Sequence, residues 1–164
     1  TTAFDEDFVA ADRNGARVLP TLLASHQPLD LVVIMLGTND LKRSTGGGRV
    51  FESRQGLERL VEIVQCFPYQ RGYEAPKLLL VAPPPFCETM EPDFALLFGH
   101  GVEESIHFRS AVTKVAEEYG CAMFDAGEVC ETSPLDGVHL DAENTRRLGE
   151  ALVGPIRELL DLGD

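Results

Sequence analysis

The 164-residue chain has no tryptophan, only 14 Lys and Arg against 27 Asp and Glu, and just four cysteines. Each shortage excludes something. No window reaches the ~18 consecutive apolar residues of a membrane-spanning helix, and the longest apolar run, Leu29 to Leu36, is strand length and is interrupted by Asp30. A net charge of −13 leaves no basic footprint for a phosphate backbone, so nucleic acid is excluded as a partner. The same charge disfavours anionic membrane surfaces. Cys66, Cys87, Cys121 and Cys130 form no C-x-x-C pair. They read as free, mostly buried thiols in a chain too large to need stapling. With no visible signal peptide, a reducing, cytoplasmic setting is expected.

What is present is a chain long enough for one domain with a core, 44% apolar and of near-zero mean hydropathy. Short apolar runs alternate with amphipathic segments. Helices are expected over 15–25, 51–67, 103–119 and 142–160, the last capped by Asp141. Strands are expected over 30–36, 77–81 and 121–124. The order implies a parallel α/β sheet covered on both faces, with all strand carboxyl ends on one edge. Three strands are few, and the first, apolar on both faces, would stand at an exposed edge.

Two motifs would share the carboxyl edge. Leu36-Gly37-Thr38-Asn39-Asp40 follows the first strand directly, and Asp136-Gly137-Val138-His139 lies beyond the third. A carboxylate three residues before a histidine, through a glycine turn, can hold Nδ1–H and leave Nε2 to accept a proton. An Asn side chain in a tight loop can donate to a developing oxyanion. The competing readings are a solvated loop pair and ordinary strand-ending turn residues. Asp40 reads as structural, bonding backbone in its own loop.

A nucleophile is harder to place. Ser25, Ser44, Ser53, Ser105, Ser110 and Ser133 all lack a sharp-turn setting. Ser133 reads as a loop cap, and Cys130 lacks an electropositive neighbourhood. His100, Glu103, Glu104 and His107 lack the spacing of a metal site. Gly46-Gly47-Gly48 has no following Lys-Ser/Thr and reads as a flexible loop. No cofactor is implied. The apolar loop Pro83 to His100 could wall a pocket, face a subunit or simply be buried.

These residues resemble the SGNH hydrolases, or GDSL-type esterases. Gly37-Thr38-Asn39-Asp40 resembles their G-x-N-D block and Asp136-Gly137-Val138-His139 their D-x-x-H block. The run Pro28 to Lys42 and Ala82-Pro83-Pro84-Pro85 resemble the arylesterase and acyltransferase branch. The resemblance implies a flavodoxin-like α/β/α sandwich with a five-stranded parallel sheet. His139 would be the general base, Asp136 its orienting carboxylate and Asn39 an oxyanion donor. The substrate would be a small-molecule ester, with acyl transfer to alcohols as a variant and a homo-oligomer as the assembly. The Gly-Asp-Ser-Leu block with its nucleophilic Ser is absent, as is the second-block Gly. Residues 1–164 are thus expected to be the C-terminal portion of one SGNH domain. The Ser and two strands beside Leu31 to Leu36 would come from an N-terminal segment outside this chain. The alternative is a truncated or degenerate member that binds a ligand or partner without catalysis.

Overall fold

The computed structural model describes residues 1–5, 11–45 and 47–163. Three strands, β1 (Leu31–Ile34), β2 (Lys77–Ala82) and β3 (Ala122–Asp125), form a parallel sheet in the order β1-β2-β3. Leu31 pairs with Lys77 at one end of the β1–β2 ladder, and Ala82 pairs with Asp125 at the far end of β2–β3. Helices α1 (Gly15–His26), α2 (Val50–Cys66), α3 (Pro92–Phe98), α4 (Gly101–Ser105), α5 (Phe108–Tyr119) and α6 (Ala142–Leu159) complete the chain. None is long and apolar enough to cross a membrane.

Strand alternation builds the layers. On β2, Leu78, Leu80 and Ala82 face a core with Leu23 of α1, Leu57, Leu60, Val61 and Val64 of α2 and Val112 and Val115 of α5. Leu79 and Val81 face the opposite side, where Leu148, Leu152 and Ile156 of α6 cover them. The result is an α/β/α sandwich. A third cluster, Leu41, Val50, Phe86, Phe98, Phe108 and Val138, joins residues of the loops at the strand carboxyl ends.

Local signals account for the helix starts. Asn14 caps α1 by accepting from the Ala16 N–H, and Asp141 caps α6 by accepting from Asn144 N–H. Gly120, in the left-handed region, ends α5. Two expectations need correction. The helix expected over 103–119 is two, α4 and α5, parted at Ile106 and His107. The Ser105 hydroxyl at that break accepts the buried Phe86 N–H (2.8 Å) and donates to the Val102 carbonyl. The apolar stretch 83–100 is not all loop. Glu91 caps α3 through the Phe94 N–H, and Pro92 opens it.

β1 stands at the edge, as the three-strand order implies, although its residues are apolar on both faces. Val33 is 42% exposed on the side that α6 leaves uncovered, and Leu36 is 38% exposed just past the strand. With Val18, Leu19 and Leu22 of α1 they line an apolar groove along β1.

Candidate active site

The sheet brings both motifs to one rim. The chain leaves β1 through Gly37, whose φ of +127° suits glycine alone. A Cβ there would also lie 2.4 Å from the Ser53 hydroxyl oxygen and 3.1 Å from the Phe108 ring. This turn feeds a single 3-10 turn, Thr38–Leu41. Asn39 lies half-buried in it. The Thr45 hydroxyl fixes the Asn39 main chain by donating to its carbonyl (3.0 Å). The Asn39 side-chain amide has no hydrogen-bond partner among the described residues.

Asp40 is structural, but its partner lies elsewhere than in its own loop. Its carboxylate, 1% exposed, accepts from the Thr2 N–H (2.9 Å) and the Thr2 hydroxyl (2.7 Å), 38 residues away in sequence. Burial pushes its pKa up, and the Thr2 donors oppose that rise by favouring the charged form. Asp40 thus ties the Thr1-Thr2 segment beneath the turn that presents Asn39.

Across the rim, Asp136 Oδ2 lies 2.8 Å from His139 Nδ1. Its Oδ1 accepts the backbone N–H groups of Val138 (2.9 Å) and His139 (2.8 Å). Against a carboxylate, Nδ1 is assigned as the donor, which leaves Nε2 an acceptor. The His139 side chain is 64% exposed, and Nε2 has no partner among the described residues. Gly137 makes the turn, with φ +79° and a would-be Cβ only 2.4 Å from the Cys87 carbonyl oxygen. The loop is braced on both sides: Cys87 N–H donates to Gly137 O, Ser133 N–H to His139 O, and the Thr89 hydroxyl to Leu135 O.

Partial burial raises the Asp136 pKa, but the His139 and Val138 N–H groups and the imidazole outweigh it and hold the carboxyl below its ordinary range. A depressed folded-state pKa gives stabilisation present above the unfolded value and lost as pH falls through the folded one. The stability gap between the protein and Asp136→Asn should therefore narrow below about pH 4. Thermal melts from pH 7 to 3 check this, and a constant gap would contradict it.

Five of the six serines are engaged elsewhere, and Ser44 is exposed in the loop after the Asn39 turn. Ser133 is buried and accepts the Leu135 N–H, the loop-capping role expected of it. Ser53 bonds Asp40, Ser105 bonds Phe86, Ser110 bonds the His107 carbonyl, and Ser25 bonds His26 on α1. None bonds His139 among the described residues. Burial, and then Asp125, raise the Cys130 thiol pKa and so disfavour the thiolate. Glu104 accepts the Val50 N–H at the start of α2. Of the glycine run, Gly46 lies outside the described residues, and Gly48 sits against His100.

One neighbour escaped the sequence reading. The Phe94 ring of α3 meets the His139 imidazole edge to face, centroids 5.7 Å apart at 75°. The same helix reaches the loop just past the other motif, where the Arg43 N–H donates to the Leu97 carbonyl (3.4 Å). The usable signal was Glu91-Pro92, a cap followed by a helix-opening proline.

Residues 2–147 match the GDSL-like Lipase/Acylhydrolase family. A carbohydrate acetylesterase family member from Sinorhizobium meliloti is 47% identical, with a TM-score of 0.96 over 99% of this chain and 76% of its own. The aryl esterase of M. smegmatis is 38% identical, with a TM-score of 0.89 over 97% of this chain and 74% of its own. Est24, a carbohydrate acetylesterase from S. meliloti, is 40% identical over the same shares, also at 0.89. No curated protein matches. A family match over most of the chain, and an α/β/α fold shared with esterases at these identities, place it together: the chain belongs to the GDSL-like lipase/acylhydrolase family, the SGNH class of carboxylic ester hydrolases.

Proposed function

We propose that this chain carries the base side of a Ser-His-Asp site that hydrolyses small carboxylic esters. The observation that carries the reading is the pair of unengaged groups on one rim, His139 Nε2 and the Asn39 amide. His139 Nε2 takes the proton of an attacking Ser hydroxyl, and Asp136 stabilises the imidazolium that results. Asn39 donates to the tetrahedral oxyanion. His139 then returns the proton to the leaving alcohol, and water resolves the acyl-enzyme. An alcohol in place of water makes the same step acyl transfer. Relatives named as acetylesterases and an aryl esterase support short acyl groups on sugar or aryl alcohols.

The Ser, in this reading, comes from a segment outside the 164 residues, which form the C-terminal portion of a single domain. The chain contains no Gly-Asp-Ser. The apolar groove along β1, with Val33 and Leu36 exposed, suits a further parallel strand. The test is co-expression with a Gly-Asp-Ser-bearing segment from a relative, read by hydrolysis of p-nitrophenyl acetate. Turnover should appear only with the segment. Val33→Asp should abolish it while shifting the stability of this chain alone by less than about 0.5 kcal/mol, as an exposed position does. Turnover by Val33→Asp equal to that of the unaltered chain would refute the β1 docking site.

A second reading rests on one observation: no described Ser hydroxyl bonds His139. In that reading the chain binds a ligand or partner without catalysis. Intact mass separates the two. A co-purifying Gly-Asp-Ser fragment with esterase activity supports the enzyme, and a lone inactive 17.9 kDa species supports the binder.

A further inference from the structure

We propose that Phe94 is a positioning residue for His139, holding the imidazole in the orientation that presents Nε2. The inference rests on the reading of His139 as the base. A single hydrogen bond from Nδ1 to Asp136 fixes a distance, but it leaves the exposed ring free to pivot about that bond. A second contact from another direction removes the pivot, and the Phe94 ring, 5.7 Å away at 75°, supplies it.

Phe94 is itself rigidly placed. Its N–H is bonded by the Glu91 cap (2.7 Å). Its ring stacks on Phe98, 5.9 Å between centroids at 19°. Phe98 meets Phe86 edge-on at 5.7 Å, and Phe86 meets Phe108 at 6.3 Å. Phe108, 1% exposed, is the ring that closes over Gly37. A continuous aromatic column therefore runs from the imidazole through the third core cluster to the turn that presents Asn39. The column gives base and oxyanion donor one shared footing, which neither motif has by itself.

The test compares Phe94→Leu, which keeps apolar bulk but loses the ring, with Phe94→Tyr, which keeps it. In the protein carrying its Ser segment, Phe94→Leu should lower kcat about tenfold through misorientation of the base, with KM within about twofold. Phe94→Tyr should stay within about twofold of the parent in both. In proton NMR of the 164-residue chain, the His139 ring signal, assigned by its loss in His139→Ala, should lose its ring-current displacement in Phe94→Leu and keep it in Phe94→Tyr. Parental kcat in Phe94→Leu, or an unmoved His139 signal, overturns the proposal. If His139→Ala is inactive while Phe94→Leu is not, the positioning role alone fails. If His139→Ala turns over normally, the base assignment fails and the proposal with it.

Discussion

In the protein carrying its Ser segment, replacing His139 with alanine should lower kcat for p-nitrophenyl acetate by ~10⁴-fold or more, with KM little changed. The size of the effect follows from two duties held by one imidazole. It accepts the Ser proton on attack and returns it to the leaving alcohol, so its loss removes both a base and an acid from successive steps. Among the described residues, no second imidazole bonds Asp136. Asp136 already bonds Nδ1 and two backbone N–H groups. His100, His107 and His26 lie on other elements. The exposed position means that the substitution leaves no cavity, so fold and activity separate cleanly: circular dichroism should be unchanged while turnover is lost. Near-parental turnover in His139→Ala would sink the assignment.

Asn39→Ala should cost ~10²–10³ in kcat, the usual loss of one oxyanion donor. KM should move far less, because the amide bonds the oxyanion more strongly than the ground-state carbonyl. The split matters, since it distinguishes oxyanion stabilisation from simple substrate contact. It can be measured because the Asn39 amide makes no bond to the rest of the described fold. The Asn39 main chain is held separately by Thr45, and the turn by Gly37 and Asp40. A rise in KM at constant kcat would recast Asn39 as a binding residue.

The groups behind these two predictions were legible in sequence for physical reasons. An apolar strand ending in Gly-x-Asn-Asp and an Asp-Gly-x-His turn are local patterns, and parallel topology carries both to one rim. The strands expected over 30–36, 77–81 and 121–124, observed at Leu31–Ile34, Lys77–Ala82 and Ala122–Asp125, and the cap at Asp141 followed from the same local chemistry. What was not legible is non-local. The local pattern places the bonds of Asp40 in its own loop, whereas its donors are Thr2, across the fold, and Ser53 of α2. The break between α4 and α5 depends on Ser105 serving the Phe86 N–H, a demand set by a distant segment. The contact of Phe94 with His139 joins helix α3 to a loop distant in sequence, and no spacing rule encodes it.

The free side of β1 also bears on handling this chain. Along Leu31 to Ile34, one row of backbone N–H and C=O groups meets no strand among the described residues, and the flanking side chains are apolar. No lysine, proline or inward charge within the strand blunts that edge. Two copies of the chain can each offer the other the same template. Expressed by itself, the chain therefore carries a built-in route to concentration-dependent aggregation, and whatever covers β1 acts as its solubilising partner.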